Sequence, residues 1–188
     1  MNKTFFVSDQ HFGHARVIQY SNRPFKSSDE MDEELIKRHN NKVGKTDLVY
    51  FLGDVFFHNE ERAIKIINRL NGIKILVYGN HDKVIKKSKV LISMFYKVCD
   101  YLEISIQDNS LEHGKQNIVL SHFPFLTWNK SHYGSWCLHG HCHGTMKYPF
   151  EGKILDVGVD VHNYEPISYE EIKAIMDKKK FQPIDHHE

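Results

Sequence analysis

Five short apolar runs, rich in β-branched and aromatic residues, each stop beside a group of Asp, Asn or His. The runs are Thr4-Phe5-Phe6-Val7, Leu48-Val49-Tyr50-Phe51-Leu52, Ile73-Lys74-Ile75-Leu76-Val77-Tyr78, Ile118-Val119-Leu120 and Trp136-Cys137-Leu138. They lead, in order, into Asp9-Gln10-His11, Gly53-Asp54, Gly79-Asn80-His81-Asp82, His122 and Gly140-His141-Cys142-His143. Runs of this length and composition read as strands buried on both faces. In open α/β sheets the crevice beyond the carboxyl ends of the strands is where sites form, so polar groups far apart in sequence are expected to converge there.

Helical patterns lie between the early runs. Ser28-Asp29 caps a segment in which Met31, Leu35 and Ile36 recur at helical spacing, and Asn59 caps Glu60 to Leu70, with Ala63, Ile64, Ile67 and Leu70 on one face. Strand, helix, strand, helix, strand predicts right-handed parallel crossovers, hence an α/β fold. Later strands around residues 101–106, 118–120, 136–138 and 154–157 come without long helices between them and predict a second sheet. Ser168 caps a last helix containing Ile172 and Ile175. A chain of 188 residues, 40% hydrophobic and without a linker or repeat, is expected to form one domain over residues 1–188.

The residue types at the strand ends suit a pair of metal ions. Two divalent ions about 3.5–4 Å apart need a bridging carboxylate, neutral imidazoles and further oxygen ligands, and they clamp both the attacking and the leaving oxygen of a phosphoryl displacement. Asp54, set after Gly53 at a sharp turn, is the natural bridge. In an extended Gly-His-Cys-His segment, His141 and His143 would share one face and Cys142 would point to the other, away from the metals. Singly, each residue has an ordinary explanation. Asp9 and Asn80 are common turn formers or helix caps, His122 before Phe123-Pro124 reads as a loop histidine, and Asp54 as a strand terminator. Those explanations do not account for ligand types at every strand end.

The ordered blocks D-x-H, G-D, G-N-H-D, H and G-H-x-H, from Asp9 to His143, resemble the calcineurin-like metallophosphoesterase superfamily. The opening Ser8-Asp9-Gln10-His11-Phe12-Gly13-His14 is most similar to its small bacterial and phage-associated members. The resemblance implies a two-sheet sandwich flanked by helices. It implies that Asp9, His11 and His143 hold one ion, Asn80, His122 and His141 the other, that Asp54 bridges them, and that His81 is the general acid. The cofactors would be two divalent ions, manganese, iron or zinc. Hydroxide made available on the metals near neutral pH would attack phosphorus in line, and His81 would protonate the leaving alkoxide.

One departure bears on the substrate. Many members continue the second block with a carboxylate that orients the catalytic histidine and an arginine that binds phosphate; here Phe57 and His58 stand in those places. His81 would then be oriented by another group, such as Asp82 or a backbone carbonyl, or would contribute less to catalysis than it does elsewhere in the family. A monoester dianion rewards an extra fixed cation and a diester needs less, so hydrolysis of a small, nucleotide-type phosphodiester is expected. The alternatives are a phosphomonoesterase or protein phosphatase using the same metals, and a non-catalytic metal-binding scaffold.

His14, Arg16 and Arg23 follow the first block, and a guanidinium there could bind phosphate or sit in an ordinary ion pair. Trp128, Tyr133 and Trp136 could stack on a base, or be packing residues. Lys83, Lys86, Lys87 and Lys89 follow His81 and read either as a phosphate-drawing patch or as a solvated helix face. A net charge of +1 argues against an extended nucleic-acid surface, so the expected partner is a small phosphorylated substrate. No apolar stretch approaches the roughly 20 residues of a membrane span, and three cysteines, an odd number, suit a reducing compartment, so the chain is expected in the cytoplasm. His186 and His187, in the polar tail, receive no role and are expected to lack fixed structure.

Overall fold

The computed structural model describes residues 2–182 and 184; His186 and His187 lie outside them. The first half alternates strand and helix: β1 (Thr4–Val7), α1 (Ala15–Tyr20), α2 (Ser28–Lys42), β2 (Leu48–Phe51), α3 (Glu60–Ile67), β3 (Ile73–Val77), α4 (Lys83–Lys87), α5 (Lys89–Ser93) and β4 (Lys97–Cys99). The second half is mostly strand: β5 (Leu102–Gln107), β6 (Lys115–Leu120), β7 (Trp136–His139), β8 (Ile154–Asp156), β9 (Ile167–Ser168) and then α6 (Tyr169–Met176). Strands β1 to β4 are parallel neighbours in the order β4-β3-β2-β1, and β9 closes this five-stranded sheet antiparallel to β1. The second sheet has the order β5-β6-β7-β8, with β5 antiparallel to β6 and the rest parallel.

Alternation along each strand divides the core into layers. Phe5, Val7, Val49 and Phe51 face helices α1 to α5, where Met31, Leu35, Ile66, Ile67 and Leu91 cover them. Phe6, Tyr50, Leu52, Ile75 and Val77 face the second sheet and meet Ile118, Leu120, Trp136 and Leu138, with Ile172 and Met176 of α6. The outer face of the second sheet, Val119, Cys137 and Ile154, is covered by Trp128, Phe125, Tyr148 and Phe150 rather than by a helix. Each such large apolar side chain contributes roughly 1.5–3 kcal/mol on burial. The result is the expected two-sheet sandwich with helices on its flank.

Helix ends show small shifts. Ser27, one residue before the expected cap, accepts from Glu30 N–H at 3.2 Å. Asn59 caps α3 as expected, accepting from Arg62 N–H at 3.0 Å. That helix stops at Ile67 because Arg69 and Leu70 donate back to Ile66 and Ile67, the tighter i→i−3 pattern that often ends helices. Ser168 and Glu171 form a reciprocal capping box on α6. Among the described residues no helix is long and apolar enough to cross a membrane.

Candidate metal centre

The loops leaving β1 and β2 are stitched to one another. Asp9 N–H donates to Gly53 O, His11 N–H to Asp54 O and Phe12 N–H to Val55 O at 2.9–3.1 Å, which sets Asp9 and His11 beside Asp54. The β3 loop is tied in by Asp82, whose carboxylate accepts from the backbone N–H groups of Gly79, Asp54 and Val55 at 2.7–3.0 Å. Gly140 permits the approach of the loop after β7: a Cβ there would collide with the side chains of Ser8 and Asp9. Gly53 has φ +90°, and a side chain on it would strike Gly79 and His122.

The ligand-type side chains meet in two adjoining groups. In the first, Asp9 Oδ1 lies 3.8 Å from both His11 Nε2 and His143 Nε2, and those two nitrogens are 3.3 Å apart. In the second, Asn80 Oδ1 is 2.9 Å from His122 Nε2 and 3.1 Å from His141 Nδ1. Asp54 Oδ2 stands between the groups, 3.8 Å from His11 Nε2 and 3.5 Å from His122 Nε2. Two sets, Asp9-His11-His143 and Asp54-His122-His141, each bring one ligand atom per residue within 4.8 Å of one another, as a metal ion requires.

The donor chemistry fits a pair of cations. Asp9 Oδ1 is buried without a hydrogen-bond partner, and burial pushes the Asp9 carboxyl up to about 7, a penalty that a bound cation would remove. Burial lowers His11 to about 2, so it presents a neutral imidazole. His122 Nδ1–H donates to Leu52 O at 2.7 Å, so a neutral ring, the form that ligates a metal, would turn its Nε2 lone pair toward Asn80 Oδ1. Two acceptors would then face each other, an arrangement a cation reconciles. Without a cation the neighbouring carboxylates act instead: burial works against charge on His122, but Asp54 and Asp9 outweigh it and raise the ring, and that pairing holds the Asp54 carboxyl below its ordinary range against its own burial.

Backbone conformation is unusual here. Asp9, His11, Asp54, His141 and His143 have φ of 59°, 53°, 57°, 70° and 48°, the left-handed region that costs non-glycine residues roughly 1–2 kcal/mol each. The Gly-His-Cys-His segment is therefore not extended, and strand alternation does not govern it. His141 and His143 turn to different groups, while Cys142 borders the cavity without joining either one.

Around these groups opens a cleft of about 700 Å³. His81 lines it, with its backbone N–H held by Asp54 Oδ1 at 2.8 Å and its ring 5.0 Å from that of Phe57. The ring makes no hydrogen bond to a described residue. Asp82 does not orient it, because its oxygens are committed to three backbone amides. Phe57 stacks at 3.8 Å and 4° on His14, which lines the cleft, a pairing that the sequence did not signal. His58 lies beneath Gly13 and bonds Asp32 at 2.5 Å.

The two arginines part company. Arg16 is exposed and forms no ion pair among the described residues. Arg23 is corrected as a phosphate-binding candidate: its guanidinium is fully buried, pairs with Asp160 and donates to the carbonyls of Asp9 and Gln10, so no part of it faces the cleft. Trp128 and Trp136 are buried packing residues and Tyr133, though exposed, does not line the cleft, nor do the lysines after His81. Asp160 and Ser21, which both reach His143 Nδ1, carry no motif that would have revealed them.

Comparison with known proteins places this geometry. The calcineurin-like phosphoesterase family matches the chain over residues 3–186. An uncharacterized protein of Methanocaldococcus jannaschii is 34% identical over 96% of this chain and 94% of its own length. The gene 66 protein of Mycobacterium phage D29 is 30% identical over 89% of this chain and 93% of its own. In fold, the crystal structure of a protein of unknown function from Aquifex aeolicus matches with a TM-score of 0.67 at 24% identity, covering 93% of this chain and all of that one.

Proposed function

The chain belongs to the calcineurin-like phosphoesterase family, and from that premise we propose that it is a dinuclear-metal phosphoesterase acting on small phosphodiesters. Asp9, His11 and His143 would hold one divalent ion and Asn80, His122 and His141 the other, with Asp54 shared. When bound, such ions supply a nucleophile at neutral pH and neutralise charge growing on phosphorus. The chain's own residues do the rest. Leu52 O holds His122 in the tautomer that leaves Nε2 free, and Asp54 Oδ1 fixes the backbone of His81 at the cleft. A ring nitrogen of His81 gives its proton to the departing oxygen, a step suited to an imidazole near neutral pH.

One observation supports the diester: the residues lining the cleft include neither lysine nor arginine. Arg23 faces inward and His58 bonds Asp32, so among the described residues no lysine or arginine at the cleft would meet the second charge of a monoester. Bis(p-nitrophenyl) phosphate should be cleaved with higher kcat/KM than p-nitrophenyl phosphate under saturating manganese at neutral pH. A monoester preference would overturn the diesterase reading, and its collapse in Arg16→Ala would show that Arg16 supplies the missing charge. Metal binding without turnover of either ester would leave a scaffold.

A further inference from the structure

The first ligand group is held from behind by a buried ion pair. Asp160 Oδ1 accepts from Arg23 Nε at 2.8 Å and Oδ2 from Arg23 Nη2 at 2.7 Å, with side chains 0% and 6% exposed for Arg23 and Asp160. The same Oδ2 accepts from His143 Nδ1–H at 2.7 Å, and Ser21 Oγ lies 3.2 Å from that nitrogen. Arg23 reaches further: Nη2 donates to Asp9 O at 2.7 Å and Nη1 to Gln10 O at 2.9 Å. One guanidinium thus joins the backbone that carries Asp9 to the carboxylate that aims His143, across 137 residues of sequence.

We propose that Arg23 and Asp160 are positioning residues for the first metal position. Asp160 keeps the proton of His143 on Nδ1, so that Nε2 faces Asp9 and His11, and Arg23 locks this carboxylate to the Asp9-Gln10 segment. Among the described residues nothing equivalent backs the second group, where His122 has the neutral carbonyl of Leu52 behind it. A carboxylate makes an imidazole a more basic ligand and fixes its orientation, and losing such a partner typically costs about 10–100-fold in metal affinity. A buried ion pair is weak evidence for stability in general, because desolvation offsets much of its attraction. Its value here lies in orientation.

The inference rests on the dinuclear reading, and the test separates the two. Manganese binding to the metal-free full chain is measured by titration calorimetry, with circular dichroism of the metal-free proteins as the folding control. The wild type should bind two equivalents. Asp160→Asn should weaken one step about 10–100-fold and leave the other nearly unchanged, with partial recovery in Asp160→Glu. In a His141→Ala background, where the second group is crippled, the remaining step should show the same loss. If Asp160→Asn does not fold, the measurement passes to Arg23→Lys, which keeps the charge but not the fork and should weaken the same step severalfold. Unchanged steps in a folded variant, or equal weakening of both, overturn the proposal. No manganese binding by the wild type overturns the dinuclear reading itself, and the proposal with it.

Discussion

The two ligand groups share Asp54 yet live in different surroundings. Asp9 and His11 are buried and His143 is half-buried with an anionic partner behind it, whereas Asn80 and His141 on the other side are exposed to solvent. The first group is built mainly from the buried junction of the β1 and β2 loops, the second from exposed loop residues after β3 and β7 together with His122, which follows β6 and is buried. The difference teaches that two adjoining ligand groups sharing a carboxylate need not be symmetric in their surroundings. Two of the three ligands in the second group meet solvent, whereas the first is more deeply set, and the cleft borders both groups through His11, His143 and His141.

The most severe way to break the comparison is to remove what the halves share. Asp54→Ala should abolish binding at both groups and drop turnover to background, measured by metal content after gel filtration and by diester hydrolysis. Retention of one full equivalent would show that Asp54 belongs to one group alone.

His81→Ala tests a residue outside both groups and should slow kcat by roughly 10²–10⁴ while metal content stays at the wild-type level. The defect should shrink with p-nitrophenolate as leaving group, since that anion needs little protonation. Loss of metal in this variant would place His81 among the ligands.

A pH prediction supplies a control outside both ligand groups. Burial depresses His39 of α2 to about 4, and its ring donates to Asn71 O at 3.0 Å. A histidine whose folded pKa lies below its unfolded value gives its full stability above pH 6.5 and loses it as the pH falls toward 4, a span worth about 3 kcal/mol. His39→Gln, which can still donate to Asn71, should flatten that part of the acid loss in thermal melts equally with and without manganese. A manganese-dependent flattening would tie His39 to the site.

The gentlest test sharpens the asymmetry itself. Dialysis against a weak chelator should remove one equivalent before the other, with about a tenfold gap in affinity, the low end of what a missing anionic partner costs. His141→Ala should abolish the more easily removed step, and loss of the tighter one instead would reverse the assignment.

Much of this arrangement was legible because the metal blocks sit at strand ends, where local pattern and tertiary placement coincide. The parallel order of β1, β2 and β3 followed from the intervening helices. Strands β4 and β9, three and two residues long, are too short to show a period and owe their pairing to neighbours. Arg23 looked like a phosphate ligand because sequence displays its distance from Asp9 but not its partner far along the chain. Asp160 lies in an unremarked turn at Val159–Val161, with no spacing to betray it. The alternation argument failed at His141 and His143 because both residues are left-handed, a choice made by tertiary contacts.

That left-handed backbone has a consequence for anyone improving this protein. Glycine relieves the penalty at such positions, and asparagine does so in part, yet the native chain keeps Asp or His at Asp9, His11, Asp54, His141 and His143. A library screened for thermostability without metal will therefore enrich replacements at these five positions, and its best survivors will be inert. Manganese in the selection buffer is what would turn the same screen toward working enzymes.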